Sequence, residues 1–474
     1  MARSKYPSLG KKRRSATPFR VFLLLVLFIV GAVVGLGALR HASSPVIEFE
    51  LGAGVIGPRG HVKVTFREPD RGLAEVQLEL VQGELVRILC AKAFRPRAPH
   101  ELWGDVTREH TCEAEIGKEA FPEIEEGALE LRATAGRAGS WISAPEPLVE
   151  RRPVKVKLTP PLVSVTSTHI YVAQGGAEVV VYTVGDDAVK HGVEIKGWSF
   201  PGYALPGGAP GQAFALFAIP FNVAGTEELR LFAEDTLGNR ASRTGFVHEF
   251  FPKPPTTDTI RLSDAFMKKV AEEMIPRVKS VQDKGDLLQN YLQLNGPLRE
   301  RNRARLRELA QSSAQRFLWS EPFLPMKNAA VMGSFADQRT YTYNGAAVDT
   351  QTHLGIDFAS VAQAPIQAAN NGVVLHADYL GIYGNSVIID HGYGLMTLYG
   401  HLSTISVGTG EEVARGQEIG RSGNTGMAGG DHLHYATLLQ GYPINPKEWW
   451  DANWLNDRLK LKLGEALPLA AEGN

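Results

Sequence analysis

The chain has 474 residues, 44% hydrophobic and 21% charged, an ordinary globular balance and enough length for about three domains. Its 50 basic and 51 acidic residues leave a formal net charge of −1, so the overall balance excludes a general attraction to nucleic acid, and no nucleic-acid partner is expected.

The N-terminus is not globular. Residues 1–20 form a basic tail with Arg3, Lys5, Lys11, Lys12, Arg13, Arg14 and Arg20 and no acidic residue. Residues 21–39, Val21 to Leu39, are an unbroken apolar run between Arg20 and Arg40. That is the length of a transmembrane helix, and the run has no polar face that would suit a buried core helix. The positive-inside rule keeps the tail in the cytoplasm. It predicts a single-pass protein of the inner membrane with everything after residue 40 on the exported side. The competing reading is a secretory signal, but its apolar core would be long and the small-residue site near His41-Ala42-Ser43 is poor.

Residues 46–155 read as a β-sandwich, with Val62, Val64 and Phe66 alternating with polar positions, as do Val76, Leu78 and Leu80. Cys90 and Cys112 fall within it on the exported side, where oxidation is permitted. A bridge would add roughly 3 kcal/mol in the chain-entropy account; two unpaired thiols are the alternative. Two isolated cysteines lack the second ligand pair of a zinc site. Residues 156–252 read as a second, immunoglobulin-like β-sandwich. Val179 to Val184 and Leu229 to Ala233 are strand-like, and Asp235, Gly238 and Asn239 suit a turn. Neither sandwich contains a catalytic grouping, and an envelope protein is the kind of partner such domains would take. His169 and His191 read as surface or turn residues.

Phe251-Pro-Lys-Pro-Pro255 reads as a stiff linker. Residues 258–320 follow as a short helical connector. Ser263 caps a helix through Phe266, Val270 and Met274 that Pro276 ends, and a second helix is expected from about Pro297 to Phe317. Its Arg299, Arg301, Arg303, Arg305 and Arg307 read as a solvated face. Residues 322–450 change texture to short alternating segments broken by glycines, a compact all-β domain. Residues 451–474 read as a C-terminal tail. The expected fold is mainly β.

The chemistry gathers in that last domain. In His432-Leu-His434 the histidines share one face of a strand, with Leu433 packing behind. His353 and Asp357 stand four apart, and Gly355 and the β context favour a loop wrapping round a metal over a helix. Two His and one Asp can hold a zinc ion with one coordination position open, as in catalytic sites. The spare histidine of the pair and His401 could then handle protons. His391 and His376 read as structural hydrogen-bonders, and Asn385 and Tyr399 as packing, turn or groove residues. No His-Glu-x-x-His helix is present, so that protease template does not apply.

Four ordered blocks carry a resemblance: His353-Leu-Gly-Ile-Asp357-Phe, Gly384-Asn-Ser-Val-Ile-Ile-Asp-His-Gly392, Leu398-Tyr-Gly-His401-Leu-Ser, and Val413 through Gly426 to His432-Leu-His434. Residues from about 330 to 447 resemble the lysostaphin or LytM-type zinc endopeptidases, the β-lytic metallopeptidases. The resemblance implies one Zn2+ held by His353, Asp357 and His434, with His401 and His432 as the catalytic histidines. It also implies hydrolysis of stem or cross-bridge peptides of peptidoglycan; a Gram-negative host would make D-Ala–diaminopimelate the bond. One departure is Tyr435-Ala436, where the family often has an aromatic residue followed by Glu. The alternative is a non-hydrolytic LytM-like protein that binds cell wall and activates amidases. A further reading is an enzyme held inactive by its own connector, Asp264 to Ser320.

Overall fold

A computed structural model describes residues 17–101, 103–254 and 256–469. The basic residues from Arg3 to Arg14 and the last five residues lie outside the described residues. The chain divides into two compact units: 1–159 with 237–239, and the remainder.

In the first unit, helix α1 spans Thr17–Leu39 and leaves Phe22, Leu24, Phe28 and Leu36 exposed. Pro18 sits in its first turn, where a missing N–H costs nothing. A three-stranded sheet follows, of Val46–Glu50, Gly60–Arg67 and Glu109–Ile116. A five-stranded sheet runs Val55–Ile56, Leu148–Val156, Gly127–Gly136, Glu75–Gln82, Leu85–Ala93 in spatial order. Their alternating apolar positions meet in one core: Val62, Val64 and Phe66 with Leu78, Leu80 and Leu131. Cys90 and Cys112 form a disulfide that joins the two sheets.

The second unit begins with another sandwich. One sheet runs Tyr203–Ala204, Gln212–Ala218, Ala177–Val184, Val163–Val165, and the other Trp198–Pro201, Ala188–Ile195, Arg230–Asp235, Arg240–Arg243. This sandwich has no core of its own. One apolar cluster runs from Val179 and Phe214 through Trp319, Tyr393 and Tyr435 to Trp449 and Leu463. Trp198 stacks on Tyr442 with ring centroids 4.4 Å apart, and Phe214 meets Tyr393 edge-on at 5.0 Å. Sandwich and C-terminal domain therefore fold around a common interior, and the expectation of two beads on a stiff linker is corrected.

Four other expectations change. The connector opens with a strand: Thr257–Arg261 pairs in parallel with Asp337–Tyr343. Its helices are α2 (Asp264–Met274, capped by Ser263), α3 (Leu287–Gln293) and α4 (Arg299–Ala310). The last stops well before Phe317, because the backbone turns after Gln311 to bring Phe317 and Trp319 into the core. On α4, exposed Arg305 pairs with Glu308 as a solvated face would, but Arg303 is only 22% exposed beside Glu300 and Arg299 turns inward to Asn295, so the expected solvated run is corrected at those two positions. Finally, 451–469 is not a tail. Leu455, Leu459, Leu463 and Leu467 are buried in the common core.

Residues 446–463 are also joined to the sandwich through buried ionisable groups. Lys462 Nζ lies 2.7 Å from Glu178 Oε1, and the amide of Ala177 donates to Glu448 Oε2 at 2.8 Å. Burial, reinforced by the neighbouring Glu178, pushes the Glu448 carboxyl up to about 8. A raised folded value means that stability from this group is full below the ordinary carboxylate range and is lost as pH rises through about 8. Glu448→Gln keeps an acceptor for Ala177 without the charge. It is expected to flatten the pH slope and to stabilise the protein at pH 8.5 by on the order of 2–4 kcal/mol, read from urea unfolding at pH 5 and 8.5. An unchanged slope would remove Glu448 as its source.

The C-terminal domain is built on an eight-stranded sheet. Its central path is Ala330–Gly333, Ile356–Ala359, Leu433–Leu439, Leu395–Leu402, Asn385–Gly392 and Gly372–Tyr379. A second sheet, Thr257–Arg261, Asp337–Tyr343 and Ala346–His353, stands beside it.

Candidate metal centre

Strand pairing brings the site together. Leu433–Leu439 lies between Ile356–Ala359 and Leu395–Leu402, and its register sets His434 opposite Asp357 on one side and Gly400 on the other. His432 pairs with Gly423 just before that strand, and Leu433 packs into the core behind it. His353 ends Ala346–His353 in the neighbouring sheet, and the chain turns at Leu354-Gly355 into the strand bearing Asp357. The expected wrapping loop is thus corrected to a strand, corner and strand. Gly355 is required at the corner, since a Cβ there would fall 2.5 Å from His434 Cε1.

Three donor atoms converge. Asp357 Oδ1 is 2.9 Å from His353 Nε2 and 2.9 Å from His434 Nδ1, and the two nitrogens are 3.2 Å apart. A tetrahedral zinc ion with bonds of about 2.0–2.1 Å spaces its ligand atoms by roughly 3.3 Å, so the triangle fits that ion. The three residues are 6–8% exposed. His353 Nδ1 donates to the Ser334 carbonyl at 3.0 Å, which leaves Nε2 as a lone pair facing the other two donors. Lone pairs packed this closely repel one another unless a cation or proton lies between them. Arg339 Nη2 holds the outer carboxylate oxygen at 3.0 Å. Burial alone would raise the Asp357 carboxyl, but His353, His434 and their hydrogen bonds hold it well below the usual range. Burial lowers His434 to about 4.

His401 and His432 stand beside this triangle, with ring centroids 4.8 Å apart. His432 Nε2 is 3.7 Å from Asp357 Oδ1. His401 sits in a β-bulge, where Gly400 and His401 oppose Ser386 alone, and its φ is +64°. Such a bulge re-aims a side chain at a modest strain cost. Its Nδ1 donates to the Thr425 carbonyl at 2.8 Å, and His432 Nδ1 donates to the Gly430 carbonyl at 2.9 Å. Three backbone carbonyls thus set the same tautomer on His353, His401 and His432, each leaving Nε2 free as an acceptor. Burial, then the neighbouring His432 and His434, holds His401 well below its ordinary value.

The five residues line a cleft of about 460 Å3. The connector walls it with Phe266, Tyr291 and Arg299, and Arg261 stands on the paired strand. Helix α2 also supports the site. Lys269 donates to the carbonyls of Asn424, Gly426 and Ala428, and Glu273 accepts from the Gly426 amide at 2.6 Å. The loop so held includes the Thr425 carbonyl that orients His401. The sequence carries no local signal for Arg339, Ser334, Lys269 or Glu273, which reach the site only through strand and helix packing. His391 is a buried hydrogen-bonder between Asn371 and Thr397, and His376 meets the Asp378 carbonyl. Tyr399 accepts from the Ala369 amide and Asn385 donates to the Leu402 carbonyl, both internal roles. His169 is exposed; His191 is partly buried against the Tyr182 hydroxyl at 2.6 Å.

Residues 351–446 match the profile of peptidase family M23. Peptidoglycan DD-endopeptidase ShyA of Vibrio cholerae is 46% identical over 93 residues, 20% of this chain and 22% of the relative. DD-carboxypeptidase/endopeptidase Mpg of Neisseria meningitidis is 44% identical over 94 residues, again 20% and 22%. The aligned part thus spans less than a quarter of these curated relatives. A crystal structure of a peptidase M23 from Pseudomonas aeruginosa aligns with a TM-score of 0.37 at 21% identity, over 59% of this chain and 95% of that one. The matched residues contain the His-Asp-His triangle and both neighbouring histidines, so residues 351–446 of the chain are a peptidase family M23 domain.

Proposed function

We propose that the protein is a zinc-dependent endopeptidase that cuts peptide bonds in cross-linked peptidoglycan, held in the inner membrane by residues 21–39 with its catalytic domain in the periplasm. The observation that carries the reading is the convergence of His353 Nε2, Asp357 Oδ1 and His434 Nδ1 beside two histidines whose free nitrogens face the same cleft. His353, Asp357 and His434 hold the ion. A bound zinc ion acts as a Lewis acid and lowers the pKa of a water toward neutrality. His401 and His432 do the proton work. With Nδ1 tied to a carbonyl, the Nε2 of one accepts a proton from the attacking water, and the protonated ring of one donates to the oxyanion or the leaving amine. Arg261 and Arg299 at the cleft suit the carboxylates of stem peptides, and the D,D-peptidase activities for which ShyA and Mpg are named favour a D,D cross-link.

The test uses the full chain in detergent, stripped with chelator and reloaded with zinc, on purified cross-linked muropeptide dimers. Mass spectrometry is expected to show monomers only from the reloaded protein. One bound zinc per chain with dimers left intact would overturn the hydrolytic reading. Arg339→Ala is a finer check: loss of the hydrogen bond to Asp357 is expected to weaken zinc about 10–100-fold while leaving the fold intact. Chelator competition measures this, and an unchanged affinity would remove Arg339 from the site's support.

A further inference from the structure

The first unit carries bulky apolar side chains that its core does not use. Trp103 is 82% exposed, Ile142 72% and Trp141 49%. They are not scattered. The Trp141 amide donates to the Gly37 carbonyl at 3.3 Å, and its ring covers Gly37 so closely that a Cβ there would lie 2.7 Å from Cζ3. Arg40 Nη1 donates to the Glu101 carbonyl at 2.9 Å, two residues before Trp103. The Ala42 amide donates to the Ala138 carbonyl at 3.2 Å, and Arg71 Nη1 donates to the Arg40 carbonyl at 3.0 Å. Two loops of the first sandwich are therefore fastened to the last turn of α1.

That attachment fixes a depth. Gly37 lies inside the apolar run and Arg40 just beyond it, so a bilayer spanned by α1 has its boundary between them. A ring lying on Gly37 is then at the level of the headgroups and upper acyl chains. Tryptophan suits that zone, with an apolar body and one N–H to satisfy. Exposed bulky apolar residues held at one end of a membrane-length helix mark a surface with a partner, and here the anchor itself brings the partner to them.

The geometry points to a lipid-contacting face on the first β-sandwich, in which Trp103, Trp141 and Ile142 dip into the outer leaflet of the inner membrane. This rests on the proposal that 21–39 is an uncleaved anchor. The face braces the sandwich on the bilayer, so α1 is more than a tether.

The full chain is reconstituted into phosphatidylethanolamine–phosphatidylglycerol vesicles with Ile142→Cys carrying an environment-sensitive dye. The native cysteines are bonded to each other and stay unlabelled. Glu119→Cys is the reference, next to the start of strand Gly60–Arg67, whose other end approaches Arg71 and α1; it stands roughly 25 Å further along that strand. The label at 142 is expected to be quenched by nitroxide on upper acyl carbons and shielded several-fold from aqueous iodide, with the reverse at 119. Equal iodide quenching at both sites, in protein that resists carbonate extraction, would overturn the lipid-contacting face and leave the anchor standing. Extraction of the full chain by carbonate, or recovery from cells of a chain already cut near residue 42, would overturn the anchor reading and this one with it.

Discussion

His434→Ala is expected to empty the site: bound zinc falls from one per chain to none, and release of monomeric muropeptides drops by at least about a hundredfold, the upper end of what outer-shell changes alone cost. The argument is geometric. His434 supplies one corner of a triangle whose other corners are 2.9 and 3.2 Å away, and alanine leaves a His-Asp pair too sparse to hold the ion against solvent. Its position between Asp357 and Gly400 in the sheet depends on backbone pairing that alanine keeps, so the fold is expected to survive. Metal analysis and product release on the same sample check this, with circular dichroism as the control. Stoichiometric zinc and undiminished products in the variant would displace His434 from the ligand set. Zinc lost with activity retained would remove the metal from the reaction.

Lys462→Met is expected to destabilise the second unit by about 3–5 kcal/mol, because it leaves the Glu178 carboxylate buried without its cation. Glu178 is fully inaccessible and Lys462 6% exposed on its side chain, with nitrogen and oxygen 2.7 Å apart. Glu178 retains the amides of Tyr171 and Val179 as donors, which limits the loss. Pairing the change with Glu178→Gln is expected to recover much of it, since a neutral amide carries no such desolvation cost. Urea unfolding of the three variants decides: equal losses in the single and double variants would assign the effect to packing of the lysine stem rather than to charge.

What the sequence made legible was local. The two-residue period of His432-Leu-His434 is the period of a strand, and both imidazoles do face the cleft with Leu433 behind. The four-residue spacing of His353 and Asp357 could not announce a corner between two sheets, because the strand that fixes Asp357 is some eighty positions away. The bulge at His401 was equally hidden, since a bulge is a property of two strands in register. The common core was missed for a similar reason: Tyr393 and Tyr442 acquire partners in the sandwich only once the chain has folded back. The C-terminal segment is a different kind of miss. Leu455, Leu459 and Leu463 repeat every four residues, a helical apolar stripe that was readable and marked a packed element.

The shared interior of sandwich and peptidase domain separates covalent continuity from physical integrity. The segment between Phe251 and Thr257 is where the chain passes from one to the other, yet the contacts that hold them together lie elsewhere, in Trp198 on Tyr442, Phe214 on Tyr393 and Lys462 on Glu178. A protease that cut this segment would make two polypeptides of one without releasing the C-terminal domain from its neighbour. Liberation of a free C-terminal domain would have to proceed through unfolding, so a cut that releases it folded must fall before residue 160 and carry the second sandwich along.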